Sequence, residues 1–548
     1  MLKRLLHGSP VAVHNHGNGN GNVVVLSYKN TLSTFVIGLL LAGACGASTQ
    51  DGWAKSEVSF DEELAEKTLT QGFSAIAERT LDKVTVSNIA MEGLHGLGTI
   101  DPTLTVQRVD DTVRLSATER IAAEYPAPAD DDVRGWSRLT VTIATEAGHL
   151  SPALKKANME QVLEAVFDAT LSRLDLFSRY HGAAEARRLR AERNGFGGIG
   201  ITFDHEARGL RIRTVLDQSP ASYAGIKSGS LILRIDGLDV LSLDHASIVE
   251  HLRGAVGSDL DLVVADADGQ HIQRTLRRSL IVPPTVTSST HEGVLSLHVS
   301  SFNQKTAESI TSELVRSKDQ LGPMLKGVIL DLRGNPGGLL DQAVMAADLF
   351  IPSGIIVQTR GRHPLSNQSY DAAEGAVGEG LPVVVLVDGK SASAAEILAG
   401  ALEDSGRAIV IGTNSYGKGT VQTVVHLPND GEITLTWSRF FTPSGYALHG
   451  LGVLPTLCTA QTDSAPIAPQ DYISLASTIP HDLAEWRRVR VDDSTSRAQL
   501  RGLCPASARS DKDSDVVLAE KILSQPTLYQ RALSLSTPPS KSFAEGPR

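Results

Sequence analysis

The sequence predicts an α/β multidomain protein with a mainly helical N-terminal region, a compact β domain and an α/β core. Three observations carry that prediction. At 548 residues the chain exceeds one ordinary core. Five short strand-like runs crowd into residues 195–282, and beyond them continuous apolar strands feed directly into helices. A hydrophobic content of 41% with 21% charged residues is that of a soluble globular protein. The net charge of −11 offers no basic stripe, and 5% aromatics give few stacking platforms, so nucleic acid is not expected as a partner.

Residues 1–52 read as a disordered leader followed by a signal peptide. The opening "MLKRLLHGSPVAVHNHGNGNGN" is polar and rich in Gly and Asn. The apolar run Phe35 to Ala44 has the length of a signal-peptide core and is short for a membrane span. Ala42, Gly43 and Ala44 supply small residues for cleavage. Cys45 then resembles the acylated cysteine of bacterial lipoproteins, with Ala42 where such a motif usually has Leu; a plain signal peptide cut near Ala44 or Ala47 is the alternative. Either way export is expected, to the bacterial periplasm or cell envelope, with membrane anchoring if Cys45 is lipidated. The two remaining cysteines, Cys458 and Cys504, could form a disulfide in such a compartment or remain buried thiols.

Residues 53–194 carry apolar residues at helical spacing in "FDEELAEKTLTQGFSAIAERTL" and "KKANMEQVLEAVFDATLSRLDLF". Between them "LTVQRVDDTVRLSA" and "RLTVTIAT" look like strands, and no catalytic constellation appears, so the region reads as a helper or partner-binding unit. Residues 195–282 hold the five strand-like runs, one helix, "DHASIVEHLRG", and a turn-rich connector. Residues 283–457 alternate strand and helix, with "GVILDLR" leading to "GLLDQAVMAADLF" and "LPVVVLVDG" to "SASAAEILAGALEDS". Residues 458–548 form a C-terminal extension, loop-rich until the helical "SDVVLAEKILSQPTLYQRALSL".

"GTNSYGKGT", residues 412–420, fills the G-x-x-x-x-G-K part of a phosphate-binding loop. Gly419 stands where that motif needs Ser or Thr. A hairpin pattern, "TVQTVVHLP" and "NDGEITLTW", follows where a helix is required. The nucleotide reading therefore fails. The other use of Lys418 is as a general base, which requires burial to lower its pKa. A hydroxyl nucleophile is offered by the strand, glycine turn and helix start of "VVVLVDGKSASAAEI", where Ser391 and Ser393 compete. Against catalysis, Ser393 with Glu396 three residues on is a complete capping-box pattern, sufficient reason for a serine there.

Several long motifs, in order, carry a resemblance: "FGGIGI", "SPASYAGIKSG", "VILDLRGNPGGLLDQAV", "VDGKSASAAEILAGALEDSGRAIVIG", "YGKGTVQTV" and "FFTPSGYALHGLGVLP". Residues 195–455 resemble the carboxyl-terminal processing (tail-specific) proteases, Ser-Lys peptidases that carry a PDZ domain. The resemblance implies a serine endopeptidase acting on protein or peptide substrates with free C-termini, with no cofactor and no metal. It places the nucleophile on Ser393, the base on Lys418, 25 residues later, and an orienting glutamine on Gln422. In an alternating strand Lys418 and Gln422 would share a face. Oxyanion donors would come from Ala394 and from Gly337 or Gly338, while Asp404 and Glu396 match acidic positions of the family. The PDZ carboxylate loop falls on Gly198, Ile199, Gly200 and Ile201, beside an edge that accepts the peptide as a strand. Ser230 departs from the usual Asp, and "GYALHGLGVLPTL" is looser than the family pattern. An adaptor or regulator is a further expected partner. A PDZ scaffold with a degenerate peptidase domain is the alternative function, and joint retention of Ser393, Lys418 and Gln422 counts against it.

Overall fold

The structure, a computed structural model, describes residues 61–266, 268–460, 468–509 and 513–536. The leader and signal peptide expected over 1–52, Cys45 included, lie outside the described residues. The central sheet runs in the order Val286–His291, Val294–Val299, Gly327–Asp331, Val383–Val387, Ile409–Gly412, Leu457–Cys458. The first pair is antiparallel and every later pairing parallel. Gly327–Asp331, Val383–Val387 and Ile409–Gly412 are buried at every position, as their unbroken apolar runs require of parallel strands covered by helices. Helices Leu340–Asp348 and Ala394–Asp404 follow Gly327–Asp331 and Val383–Val387, so the turns that precede them sit at the carboxyl ends of these strands.

A second sheet runs Gln368–Asp371, Ile355–Gly361, Glu432–Phe441, Thr420–His426. The last two form the hairpin expected after Lys418, so no helix follows the glycine-rich loop. The short strand Arg179–His181 also pairs with Glu432–Phe441, which ties the N-terminal region to the hairpin. Helices Glu62–Arg79, Val86–His95, Val133–Leu150 and Met159–Ser172 bury Phe73, Ile76, Trp136 and Phe167 in one cluster with Val425, Leu427, Ile433 and Leu435 of that hairpin. The region is thus one packing unit with the hairpin.

One expectation for this region needs correction. "RLTVTIAT", read as a strand, lies inside the Val133–Leu150 helix. Its β-branched residues cost helix propensity, but Asp132 caps the first turn through the Gly135 N–H, and Leu139, Val141, Ile143 and Ala144 are all buried. A strand not anticipated, Arg120–Pro126, completes a three-stranded sheet with Leu104–Val109 and Thr112–Ala117.

The β domain is a sheet in the order His271–Arg277, Asp259–Ala265, Leu231–Ile235, Gly209–Val215, Ile201–Glu206, with its own apolar cluster around Ile212, Ile232, Ile248 and Leu262. Ile201–Glu206 is an edge strand. The helix His245–Leu252 is capped by Asp244, which accepts from the Ser247 N–H at 2.8 Å.

The C-terminal extension is more helical than its sequence suggested. Pro469–Leu475, Ile479–Arg488 and Ser494–Arg501 occupy the stretch read as loop. Short length and high charge hid their periodicity, although Pro469, Pro480 and the Asp493 cap mark their starts. Their apolar residues join the main core: Trp486 is fully buried and donates its Nε1–H to the Gly452 carbonyl at 3.3 Å. Cys458 and Cys504 are joined as a disulfide, which fastens the extension to the last strand of the central sheet. Trp486→Ala is expected to cost about 3–5 kcal/mol, read from chemical denaturation. A loss below about 1 kcal/mol would mean that the extension adds little to the core.

Candidate active site

Ser393 lies in the turn between Val383–Val387 and the helix Ala394–Asp404, with φ 56° and ψ −116°. An ordinary N-cap residue is extended, so this left-handed backbone at a non-glycine residue is a strain of about 1–3 kcal/mol that capping does not explain. The turn is held from below. Asp388 Oδ1 accepts from the N–H groups of Gly334, Lys390 and Ser391 at 2.9, 2.9 and 3.1 Å. Ser391 is buried and fully engaged, its hydroxyl donating to the Leu332 carbonyl at 2.8 Å and accepting from the Asp388 N–H at 2.9 Å. Ser393 is half-buried. Of the two serines, Ser393 is the one that keeps exposed surface.

Glu396, one turn into the helix, is completely buried. Its Oε2 accepts from the Ser393 N–H at 2.7 Å and from the Lys418 N–H at 2.9 Å. Its Oε1 accepts from the Ser415 hydroxyl at 2.5 Å and the Gly417 N–H at 2.6 Å. A single carboxylate oxygen therefore holds the backbone nitrogens of both Ser393 and Lys418. Burial pushes this carboxyl above its usual range, and the donors oppose that shift.

Lys418 is half-buried, with Nζ 5.1 Å from the centroid of the Phe177 ring. Burial lowers its pKa below the usual lysine value, while the charges of Glu396 and Asp175 pull the other way. The lysine precedes its strand, Thr420–His426, and the register breaks between Val421 and Gln422. Simple alternation therefore does not relate Lys418 to Gln422, contrary to the strand argument from sequence. Gln422 donates Nε2–H to the Thr420 hydroxyl at 2.9 Å.

The N-P-G-G turn packs under Ser393. A Cβ on Gly337 would lie 2.9 Å from the Ser393 Cβ and 3.0 Å from the Ala394 nitrogen, so only glycine permits this approach. The Gly337 N–H is taken by Asn335 Oδ1 at 2.8 Å, and the Gly337 carbonyl accepts from the Phe302 N–H at 3.0 Å. In a trans peptide the Gly338 N–H points opposite that carbonyl, away from Phe302. Among the described residues neither the Gly338 nor the Ala394 N–H donates a hydrogen bond.

Asp404 faces elsewhere. It accepts from the Ser444 N–H and hydroxyl at 3.1 and 2.5 Å and pairs with Arg487 at 2.9 Å. Its work is to hold the 442–446 turn and the C-terminal extension together. In the β domain, Gly200 has φ 79°, and the carbonyls of Ile199 and Gly200 accept from Ala221 and Leu216. Their N–H groups take no partner among the described residues and lie beside the edge strand that starts at Ile201.

Sequence reasoning missed the residues that wall the site. Phe177 and Asp175 come from the region to which no site was assigned, and Arg501, Ser507 and Arg509 from the extension. Arg501 donates to the carbonyls of Ser415 and Leu451 at 3.2 and 2.6 Å. Ser507 accepts from the Gly389 N–H at 2.8 Å, and Arg509 donates its N–H to Asp388 Oδ2 at 2.9 Å. No local spacing signals these contacts, which join residues 86 and 121 positions apart.

Comparison with known proteins gives the family. Residues 293–458 match the model of peptidase family S41, and residues 188–265 that of the PDZ domain. The carboxy-terminal-processing protease of Bartonella bacilliformis is 34% identical over 305 residues, 55% of this chain and 70% of that one. The carboxy-terminal processing protease CtpA of Bacillus subtilis is 33% identical over 274 residues, 50% of this chain and 58% of the relative. A solved structure, the photosystem II D1 C-terminal processing protease, aligns with 79% of this chain and 99% of its own at 23% identity and a TM-score of 0.37. With its α/β peptidase core, its PDZ domain and this degree of identity, the chain belongs to the carboxy-terminal-processing proteases of peptidase family S41.

Proposed function

We propose that this protease is an exported serine endopeptidase that works by a Ser-Lys mechanism and receives substrate C-terminal tails through its PDZ domain. The observation that carries the mechanism is the Glu396 oxygen shared by the Ser393 and Lys418 backbones. Neutral Lys418 accepts the Ser393 hydroxyl proton as Oγ attacks the peptide carbonyl. The oxyanion is received by the free N–H groups of Ala394 and Gly338, and Gly337 serves by allowing the close approach. Lysinium then protonates the leaving amine, and a water deprotonated by the same lysine hydrolyses the acyl-enzyme ester. Gln422 positions the start of the hairpin through Thr420.

The unpartnered amides of Ile199 and Gly200 support capture of a terminal carboxylate, with the tail added to the Ile201–Glu206 edge. The apolar leader run and the Cys458–Cys504 disulfide support export to an oxidising cell-envelope compartment, with Cys45 the site of lipidation if the chain is anchored.

Ser393→Ala keeps the backbone bond to Glu396, so it is expected to lower kcat/KM by roughly 10⁴-fold or more while leaving the thermal midpoint within a few degrees. Residual cleavage at a tenth of wild type or above would sink the nucleophile assignment. Activity of the wild type should rise with pH through an ionisation below 10.5, because only the neutral amine accepts a proton and burial lowers that pKa. Lys418→Arg, permanently charged, is expected to be inactive at every pH, and Gln422→Ala to cost less than Lys418→Ala; a pH–rate series on the three variants decides. Amidating a substrate's C-terminus should weaken its binding to the PDZ domain, measured by titration; equal affinity for acid and amide would remove the tail-reading role.

A further inference from the structure

The N-terminal region and the catalytic hairpin enclose a cavity of about 280 Å³ beside Lys418. Leu174, Asp175 and Phe177 form one wall, and Thr420, Arg439 and His449 the other. Phe177 is the ring that Lys418 Nζ approaches. Arg439 stands opposite Thr420 in the strand register, and the backbone nitrogen of His449 lies 1.9 Å from where a Cβ on Gly419 would be. The cavity therefore begins within two residues of the proposed base.

Its polar groups are unevenly matched. Asp175 is spent on its own surroundings, accepting from the N–H groups of Phe177 and Ser178 and the hydroxyls of Ser178 and Thr436. Asp82, the other carboxylate on the lining, is exposed, where solvent and salt screen it. In contrast, Arg439 Nε and His449 Nδ1 are buried with no hydrogen-bond partner among the described residues. Buried polar atoms left unpaired cost about 1–3 kcal/mol each, so two of them on one cavity wall call for a ligand that completes them. Burial, with Arg439 and Arg497 nearby, lowers the pKa of the His449 imidazole. Asp175 keeps its negative charge on the same lining but its oxygens are already occupied, so Arg439 is the cation with an unfilled donor facing the space, and Leu174 and Phe177 offer apolar surface to a short stem.

We propose that this cavity is a specificity subsite that takes an acidic side chain of the substrate beside the scissile bond, its carboxylate received by Arg439 with His449 as second contact. The proposal rests on the peptidase reading above and adds the chemistry of the preferred sequence. A charge-assisted bond of this kind favours Glu over Leu by about tenfold.

The test uses peptides with amidated C-termini, which give the PDZ loop no carboxylate, differing only in Glu, Gln or Leu at one position. That position is scanned over the two residues on either side of the cleaved bond. Binding to the Ser393→Ala protein is read by fluorescence anisotropy and cleavage by the wild type by chromatography. At one position Glu should exceed Gln and Gln exceed Leu, with Glu over Leu about tenfold. Arg439→Leu should erase that ratio and Arg439→Lys restore part of it. A ratio between two peptides on one protein is unaffected by a partly unfolded sample. Equal handling of Glu and Leu at every position, equal handling of Glu and Gln, or a ratio that survives Arg439→Leu would overturn the subsite, while Ser393-dependent cleavage of the Leu peptide kept the peptidase reading intact. If cleavage proved independent of Ser393, the binding ratio on the Ser393→Ala protein would still decide the subsite.

Discussion

Everything in the candidate active site is referred to one buried carboxylate. Glu396 sits on the first turn of a helix whose every residue is buried, so it cannot relax toward water. Its two oxygens reach back to the nucleophile turn and across to the lysine loop, which arrive from different strands of the central sheet. A carboxylate in such a place is stable only when its lone pairs are filled, and here the donors are four groups on the two loops that carry Ser393 and Lys418. The need to satisfy the buried acid and the need to align serine and lysine are thus met by the same hydrogen bonds.

Around that centre the molecule closes from two sides. The N-terminal region lays Phe177 against Lys418, and the overall burial of the lysine favours the neutral amine. The C-terminal extension sends Arg501 to the lysine loop and Ser507 and Arg509 to the nucleophile turn, and Arg333, beside the N-P-G-G turn, donates to the Arg509 carbonyl. Two regions that carry no catalytic group of their own set the dielectric and the rigidity in which the groups of the core act.

Much of this was legible in the chain. The continuous apolar strands, the Asn429-Asp430-Gly431 turn and the strand–turn–helix around Ser393 are local patterns, and local physics reads them. The acid at Glu396 was visible too, as half of a helix cap and as an acidic position of the resembled family; that it also holds the lysine loop depends on contacts 19 to 22 residues away. "RLTVTIAT" was misread because its buried face outweighs its β-branched propensity, a tertiary effect. Phe177, Arg439 and His449 carry no signal at all until the hairpin brings them to one cavity, since each reads alone as an ordinary strand or loop residue.

The disulfide and the arginines behind it also bear on timing. The serine, lysine and glutamate lie between residues 393 and 418, yet the braces on their loops come from residues 501–509, on either side of the bonded Cys504. A chain still being made can possess every reacting group and lack the frame that aligns them. Alignment of the site thereby becomes a property of the polypeptide with its extension and disulfide in place, and not of the segment that carries Ser393, Glu396 and Lys418 alone.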